Sequence, residues 1–236
     1  MRLAPPAGRA YTSPMPDPVA IPIPTLRRLP EYLRVFRDRR DAGDSWLSSE
    51  AVGQILGFGA VQVRRDLAAA GASGSPKCGY PVSETVRRLE ALPGIRGLSA
   101  AILVGSGRLG EAVLADPGME RHGLRIEEIF DLSPDRVDRV LDGRRVLPLS
   151  RLPETVRRTG CRLAVLAVDP DQAGAASLAL ARAGIAGILD LSGAASPFPK
   201  DLLVRRFCFA SGLAALAGEL DARERKKNLD GFPRQT

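Results

Sequence analysis

Three apolar residues, Ile102-Leu103-Val104, run directly into Gly105-Ser106-Gly107-Arg108-Leu109-Gly110, and Glu111-Ala112-Val113-Leu114 follow. This pattern restricts the chain more than any other stretch: it requires a buried strand that turns sharply into a helix. In a G-x-G-x-x-G run the first glycine permits the tight turn. The second lets backbone approach a pyrophosphate, and the third lets helix and strand pack closely. Phosphates then sit on free N–H groups at the start of the helix, where the dipole favours negative charge. The supporting context is a second strand ending in an acid about 20 residues on. Leu124–Phe130 ends at Asp131, 21 residues after Gly110. A carboxylate there is expected to accept the ribose hydroxyls of an adenosine and to favour NAD(H) over NADP(H). Arg125 and Arg136 lie close in sequence and weaken that discrimination.

The chain of 236 residues has room for one or two domains, and 44% hydrophobic residues suffice for a core. A net charge of +7 is compatible with a nucleic-acid partner without requiring one. Cys78, Cys161 and Cys208 are scattered, which argues against a disulfide framework and a structural zinc site. No apolar run reaches membrane-spanning length and no signal-peptide core is present, so a soluble cytoplasmic protein without membrane or metal is expected. His122 is the only histidine and sits in a polar connection, which speaks against a Ser-His-Asp triad.

Residues 1–20 carry five prolines and read as a disordered arm. Thr25 to about Asp41 reads as a helix capped by Thr25, with Leu26, Leu29, Leu33 and Phe36 as its apolar stripe. Ser48 or Ser49 caps a second helix, with Glu50 in its first turn. Gly57-Phe58-Gly59 makes a turn, and Ala60–Ala70 a third helix, giving a helix-turn-helix over about 48–70. At about 100° per residue, Ala60, Val63, Leu67 and Ala70 face inward. Gln62, Arg65 and Ala69 face outward, with Arg64 and Asp66 on the flanks. Arginine can bond guanine and glutamine adenine in the major groove, although a solvated helix face explains the same charges. The Gly/Ser-rich run Gly71–Tyr80 resembles a wing, with Lys77 placed for a phosphate. Ser83 is then expected to cap a helix leading to Pro93-Gly94.

From Ser99 the alternation of strands and helices predicts a parallel sheet of Rossmann type. Its strands include Ala100–Val104, Leu163–Val168, Ala186–Leu191 and Arg205–Phe209. A helix spans Ala173–Ala183. Ligands bind at the carboxyl ends of such strands. That places Gly105, Ser106, Gly107, Arg108, Leu109, Gly110, Asp131, Val168, Asp169 and Leu191 around one crevice. A last helix, Gly212 to about Lys227, carries Leu213, Leu216 and Leu220 on one stripe.

In combination, Ile21–Pro30, Ser48-Ser49-Glu50, Gln62-Val63-Arg64-Arg65-Asp66-Leu67, Gly79-Tyr80-Pro81-Val82, the fingerprint at 105–110 and Phe130-Asp131-Leu132-Ser133-Pro134 resemble the Rex family of redox-sensing transcriptional repressors. The resemblance covers about residues 21–220. It implies an α/β chain: an N-terminal winged-helix DNA-binding domain (21–92) and a Rossmann NAD(H)-binding domain (93–210). A domain-swapped C-terminal dimerisation helix (211–228) and a disordered tail (229–236) follow. It further implies a homodimer on palindromic double-stranded operator DNA, with NADH and NAD+ as regulatory ligands and no catalysis. NADH would close the two nucleotide domains and release the operator. Ser48, Gln62, Arg64, Arg65, Lys77 and Tyr80 are then the expected DNA contacts. Ala68-Ala69-Ala70-Gly71 stands where the family has a Ser-Tyr-Phe-Gly-type run, and Ser133 where it often has a second acid. Asp116 and Cys208 occupy positions of an aromatic residue and an acid that help some members switch, and Arg34 matches their arginine partner. A repressor with an altered or lost NADH response is therefore an alternative. An NAD-dependent dehydrogenase is a weaker one, because no histidine proton donor lies in reach.

Overall fold

The computed structural model describes residues 21–92, 99–195 and 197–230. The expected arm at 1–20, the Pro93-Gly94 connection and the tail from 231 onward lie outside the described residues. The chain divides into two compact units. One comprises the residues up to Ser99 with Gly118–Gly123, the other Ala100–Pro117 with everything from Leu124 onward.

In the first unit, α1 (Ile23–Asp41), α2 (Ser49–Leu56), α3 (Ala60–Ala69) and α4 (Val82–Glu90) enclose a core that includes Leu29, Phe36, Val52, Val63, Leu67 and Leu89. Two two-residue strands, β1 (Trp46–Leu47) and β2 (Tyr80–Pro81), pair antiparallel. Together with the Ser75–Gly79 bridge they form a small wing. The N-cap of α2 is Ser48, whose hydroxyl accepts the Ala51 N–H at 3.1 Å. Val63, Leu67 and Ala70 are buried, as the helical angle of α3 predicts.

Two expected caps are corrected. Thr25 lies inside α1, which starts from Pro22, and its hydroxyl donates instead to Asp66 at 2.8 Å. α4 begins one residue before Ser83 because Val82 itself enters the core. Asp66, expected on a flank of α3, is only 1% exposed. Its carboxylate accepts five hydrogen bonds: one each from Thr25, Tyr32 and Gln62, and two from Arg28 at 2.6 and 2.9 Å. The helical angle missed this because α1 crosses that flank and supplies the donors.

In the second unit seven strands form one sheet in the order β5-β6-β4-β3-β7-β8-β9. The strands are β3 (Ser99–Val104), β4 (Leu124–Asp131), β5 (Val140–Leu141), β6 (Arg144–Pro148), β7 (Leu163–Leu166), β8 (Gly187–Asp190) and β9 (Leu203–Arg206). β3 pairs parallel with β7, β7 with β8, β8 with β9, and β4 with β6, while β5 returns antiparallel on β6. A short strand at Val146–Leu149 is expected from the sequence and corresponds to β6; its antiparallel partner β5 and the hairpin between them were not anticipated. The hairpin turns on Asp142-Gly143, both at positive φ, the two-residue turn whose twist suits a hairpin. Helices α5 (Arg108–Leu114), α7 (Leu152–Thr159) and α8 (Ala173–Ala183) connect the parallel strands, while the short α6 (Gly118–Arg121), which precedes β4 in the chain, belongs to the first unit.

Several strand and helix limits differ from expectation, β8 being shorter by one residue at each end and β9 starting at Leu203. β7 stops at Leu166. β9 ends at Arg206, where its register with Asp190 of β8 is exhausted. Phe209 opens α9 (Phe209–Asp230), which extends two residues into the stretch expected to be a disordered tail. Among the described residues no helix is long and apolar enough to cross a membrane.

Burial alone would raise the Asp66 pKa; the hydrogen bonds from Arg28, Tyr32 and Thr25 outweigh it and hold the carboxyl at about 2. A depressed pKa contributes stability that is complete above the unfolded value of about 4 and is lost as pH falls toward the folded one. Asp66→Asn is therefore expected to cost roughly 3 kcal/mol at neutral pH. It should also flatten the loss of stability between about pH 4 and pH 2. Urea unfolding of both proteins across that range checks this; a difference independent of pH contradicts it.

Candidate functional site

A crevice at the carboxyl edge of the sheet follows from strand order. β3 is central: β4 and β6 lie to one side, β7, β8 and β9 to the other. The loops after β3 and β7 therefore leave in opposite directions, the arrangement that opens a ligand crevice in α/β sheets.

The glycine loop fills the floor of this crevice by backbone contact. Gly105 has φ +105°, and its N–H donates to Phe130 O at 2.8 Å. A Cβ on Gly105 would lie on the carbonyl of Ala167, beyond the end of β7. One on Gly110 would lie on the carbonyl of Gly105, so α5 can fold back against β3 only because no side chain stands there. α5 starts at Gly107 with no side-chain cap, leaving its first amides for another partner.

Asp131 ends β4 and is 2% exposed. One carboxylate oxygen accepts the N–H and the hydroxyl of Ser106, each at 2.7 Å, and the other accepts the Ser133 N–H at 2.9 Å. Burial opposes its ionisation, yet these bonds and the nearby Arg136 guanidinium hold its pKa below the usual carboxylate value. Both oxygens are thus turned into the protein. Asp131 grips the glycine loop. Asp190 at the end of β8 makes the same turn: its carboxylate accepts the Ser192 N–H at 2.9 Å. Asp131-Leu132-Ser133 and Asp190-Leu191-Ser192 are the same tripeptide at two strand ends.

Beside Asp131 lies a largely apolar hollow of about 410 Å³, lined by Leu132, Pro134, Val137, Pro148 and Leu149. It sits at the ends of β4 and β6, and its apolar walls suit an apolar ring face. Val168 and Asp169 follow β7, and Leu191 follows β8, so the structure brings every predicted crevice residue to the same edge.

In the helical unit the predicted contacts separate into two groups. Ser48, Arg64, Lys77 and Tyr80 line a cleft between the start of α2 and the wing, with Ser49 and Glu50. Arg64 donates to Ser49 at 2.9 Å and to Glu50 at 3.0 Å, which fixes its guanidinium over that cleft. Lys77 stands at the wing tip with φ +67°. Tyr80 is mostly buried, its ring edge-on to Phe36 at 6.4 Å. Arg65 is exposed on α3, whereas the Gln62 amide is turned back onto Asp66 at 3.0 Å.

Known proteins share both halves. Residues 20–68 match the family model "Putative DNA-binding protein N-terminus", and residues 98–192 match the CoA binding domain family. The Redox-sensing transcriptional repressor Rex of Roseiflexus sp. (strain RS-1) is 32% identical over 180 residues, covering 76% of this chain and 82% of the relative. That of Thermus thermophilus is 32% identical over 197 residues, covering 84% of this chain and 92% of the relative. The chain belongs to the Rex family of redox-sensing transcriptional repressors.

The fold agrees along the same length. A crystal structure of RSP in complex with beta-NAD+ and operator DNA superposes with a TM-score of 0.75 at 25% identity, covering 89% of this chain and 97% of RSP. Within the Rex framework, the positions singled out for a rewired switch are solvent-facing: Asp116 just after α5 and Cys208 just before α9 are both exposed. The Cys208 thiol is shifted toward ionisation by hydrogen bonds from Ser211. Arg34 spans Glu31 and Asp38 on its own helix at 3.1 and 3.4 Å. The apolar hollow at 132–149 escaped sequence reasoning because strand order, not local pattern, brings the β4 and β6 ends together.

Gly105→Ala combines a left-handed φ with a Cβ on rigid backbone. It is expected to cost about 3 kcal/mol or more, read from the unfolding midpoint in urea. A midpoint shift worth less than about 0.5 kcal/mol would contradict the close approach.

Proposed function

We infer that this Rex-family chain is a non-catalytic, cytoplasmic repressor. It holds operator DNA as a homodimer and lets go when NADH occupies the crevice of the Rossmann sheet. The observation that carries this reading is the pairing, in one chain, of a helix-turn-helix bearing an exposed Arg65 with a glycine loop already shaped at the sheet's switch point.

On the DNA side, Arg65 and Gln62 read bases from α3, and Gln62 must first leave Asp66. Arg64, Lys77, Ser48 and Tyr80 contact the backbone at the wing cleft. On the ligand side, Gly105–Gly110, with Ser106 held by Asp131, cradles the diphosphate, and Val168, Asp169 and Leu191 border the nicotinamide half. The adenine lies in the hollow lined by Leu132 and Leu149. These groups bind and orient a dinucleotide. His122 is the sole histidine of the chain, and Lys200 is the only lysine between residues 78 and 225, so histidine and lysine for acid–base turnover are sparse.

Phe209, Leu213, Leu216 and Leu220 form a stripe along α9, each more than half exposed. Packing this stripe against a second copy buries it and supplies the two-fold axis. Two-fold symmetry then sets the α3 helices about 34–36 Å apart, or a multiple of it, on successive groove faces. Release by NADH requires that NADH bind the DNA-incompetent state more tightly, and linkage requires DNA to weaken NADH in return.

Fluorescence anisotropy on a labelled palindromic duplex, selected from a random pool with this protein, tests the reading. NADH is expected to move the DNA-binding curve to higher protein concentration and NAD+ to move it less. If neither nucleotide moves it, the redox reading fails. The chain is then a DNA-binding repressor whose relay through the Asp116 and Cys208 positions is lost. Arg65→Ala should weaken specific binding by about 1–3 kcal/mol; an unchanged curve removes Arg65 from the contacts.

A further inference from the structure

A carboxylate stands in the wing cleft, where a contact to the DNA backbone calls for cations. Glu50, in the first turn of α2, lines the same hollow of about 380 Å³ as Ser48, Arg64, Lys77 and Tyr80. It is held there. One carboxylate oxygen accepts the Arg64 guanidinium at 3.0 Å, and the other accepts the Ser49 hydroxyl at 3.2 Å. Arg64 also donates to Ser49 at 2.9 Å, so the three side chains close a ring between the start of α2 and α3. Bonds from its own backbone N–H, from Ser49 and from Arg64 hold the Glu50 carboxyl below the usual carboxylate value.

A DNA phosphate entering this cleft draws on the same kinds of donor: a guanidinium, a serine hydroxyl and a backbone amide at a helix start. In the free protein an anion of the chain itself already holds all three. The ion pair is open to solvent, with the Arg64 side chain 50% and that of Glu50 61% exposed. A phosphate can therefore reach it and take the carboxylate's place. An exposed pair of this kind is worth little on its own, so exchanging one anion for another is not blocked by the stability of the pair.

We propose that Glu50 is a built-in competitor for the DNA backbone: its carboxylate occupies the phosphate-binding donors of the wing cleft and must swing out before Arg64 engages a duplex. Arg64 then trades a carboxylate for a phosphate, and the cleft gains less from DNA than its cations alone would give. The penalty falls on phosphate contacts, which carry no sequence information, so it applies to any duplex. Glu50 thereby sets how tightly the protein holds DNA in general, while the outward face of α3 is left to read sequence. The inference rests on the reading of this cleft as a DNA contact.

The test is binding of the full-length protein to a labelled mixed-sequence duplex, followed by fluorescence anisotropy over a range of salt concentrations. Wild type is compared with Glu50→Gln, Arg64→Ala and the double variant. Glutamine keeps the hydrogen-bond acceptor and removes the charge. Glu50→Gln is expected to bind at least about threefold more tightly at low salt, with a salt dependence steeper by about one unit of slope per cleft engaged. In the Arg64→Ala background that gain should fall to about half or less, because the freed donor is missing. Unchanged or weaker binding by Glu50→Gln overturns the proposal and leaves Glu50 as a residue that only orients Arg64. An equal gain with and without Arg64 overturns it too, since general repulsion then accounts for the effect. Glu50→Ala repeats the comparison if the glutamine variant does not fold. If neither wild type nor any variant binds duplex, the reading of the cleft as a DNA contact fails, an outcome distinct from wild-type binding that Glu50→Gln leaves unimproved.

Discussion

The Rossmann unit depends on one buried charge. A carboxylate removed from water is costly unless donors replace its hydration, and Asp131 obtains them from Ser106 and Ser133. The Ser106 amide and hydroxyl are drawn to the end of β4, while Gly105 is pressed onto Ala167 past β7. The loop after β3 is thus held between its two neighbouring strands from both sides. Its shape exists before any ligand arrives, which lowers the ordering cost of binding.

The helical unit uses the same chemistry. Asp66 gathers donors from α1 and from its own helix, and the Tyr32 hydroxyl that meets it is pushed well above the usual phenol range by burial and by the carboxylate. In both units a buried acid is a node that fixes two elements. Each is surrounded by apolar packing, so the hydrogen bonds specify geometry that the core alone would leave loose.

How much of this could be read in advance depended on the range of each signal. The glycine fingerprint, the Ser48 cap, the inward face of α3 and helix Ala173–Ala183 are local, and the sequence carries them. Asp66 and Asp131 were visible as residues, but their direction was not. An acid on a helix flank or at a strand tip looks alike whether it faces water or a serine that lies 25 positions away in the chain. The Asp142-Gly143 turn was legible in principle, since the dipeptide is a strong hairpin signal, and short flanking strands concealed it. The end of β9 is set by register with β8, which no single segment encodes.

The ties between α3 and α1 also constrain how α3 can report. Three side chains of α1, from Thr25, Arg28 and Tyr32, converge on a carboxylate of that helix. Turning α3 about its own axis would break several of these bonds together and strand a charge in the core. A tilt of α3 alone is costly for the same reason. Whatever α3 conveys, it conveys as position and not as posture: the helix travels with α1 as cargo on a rigid carrier.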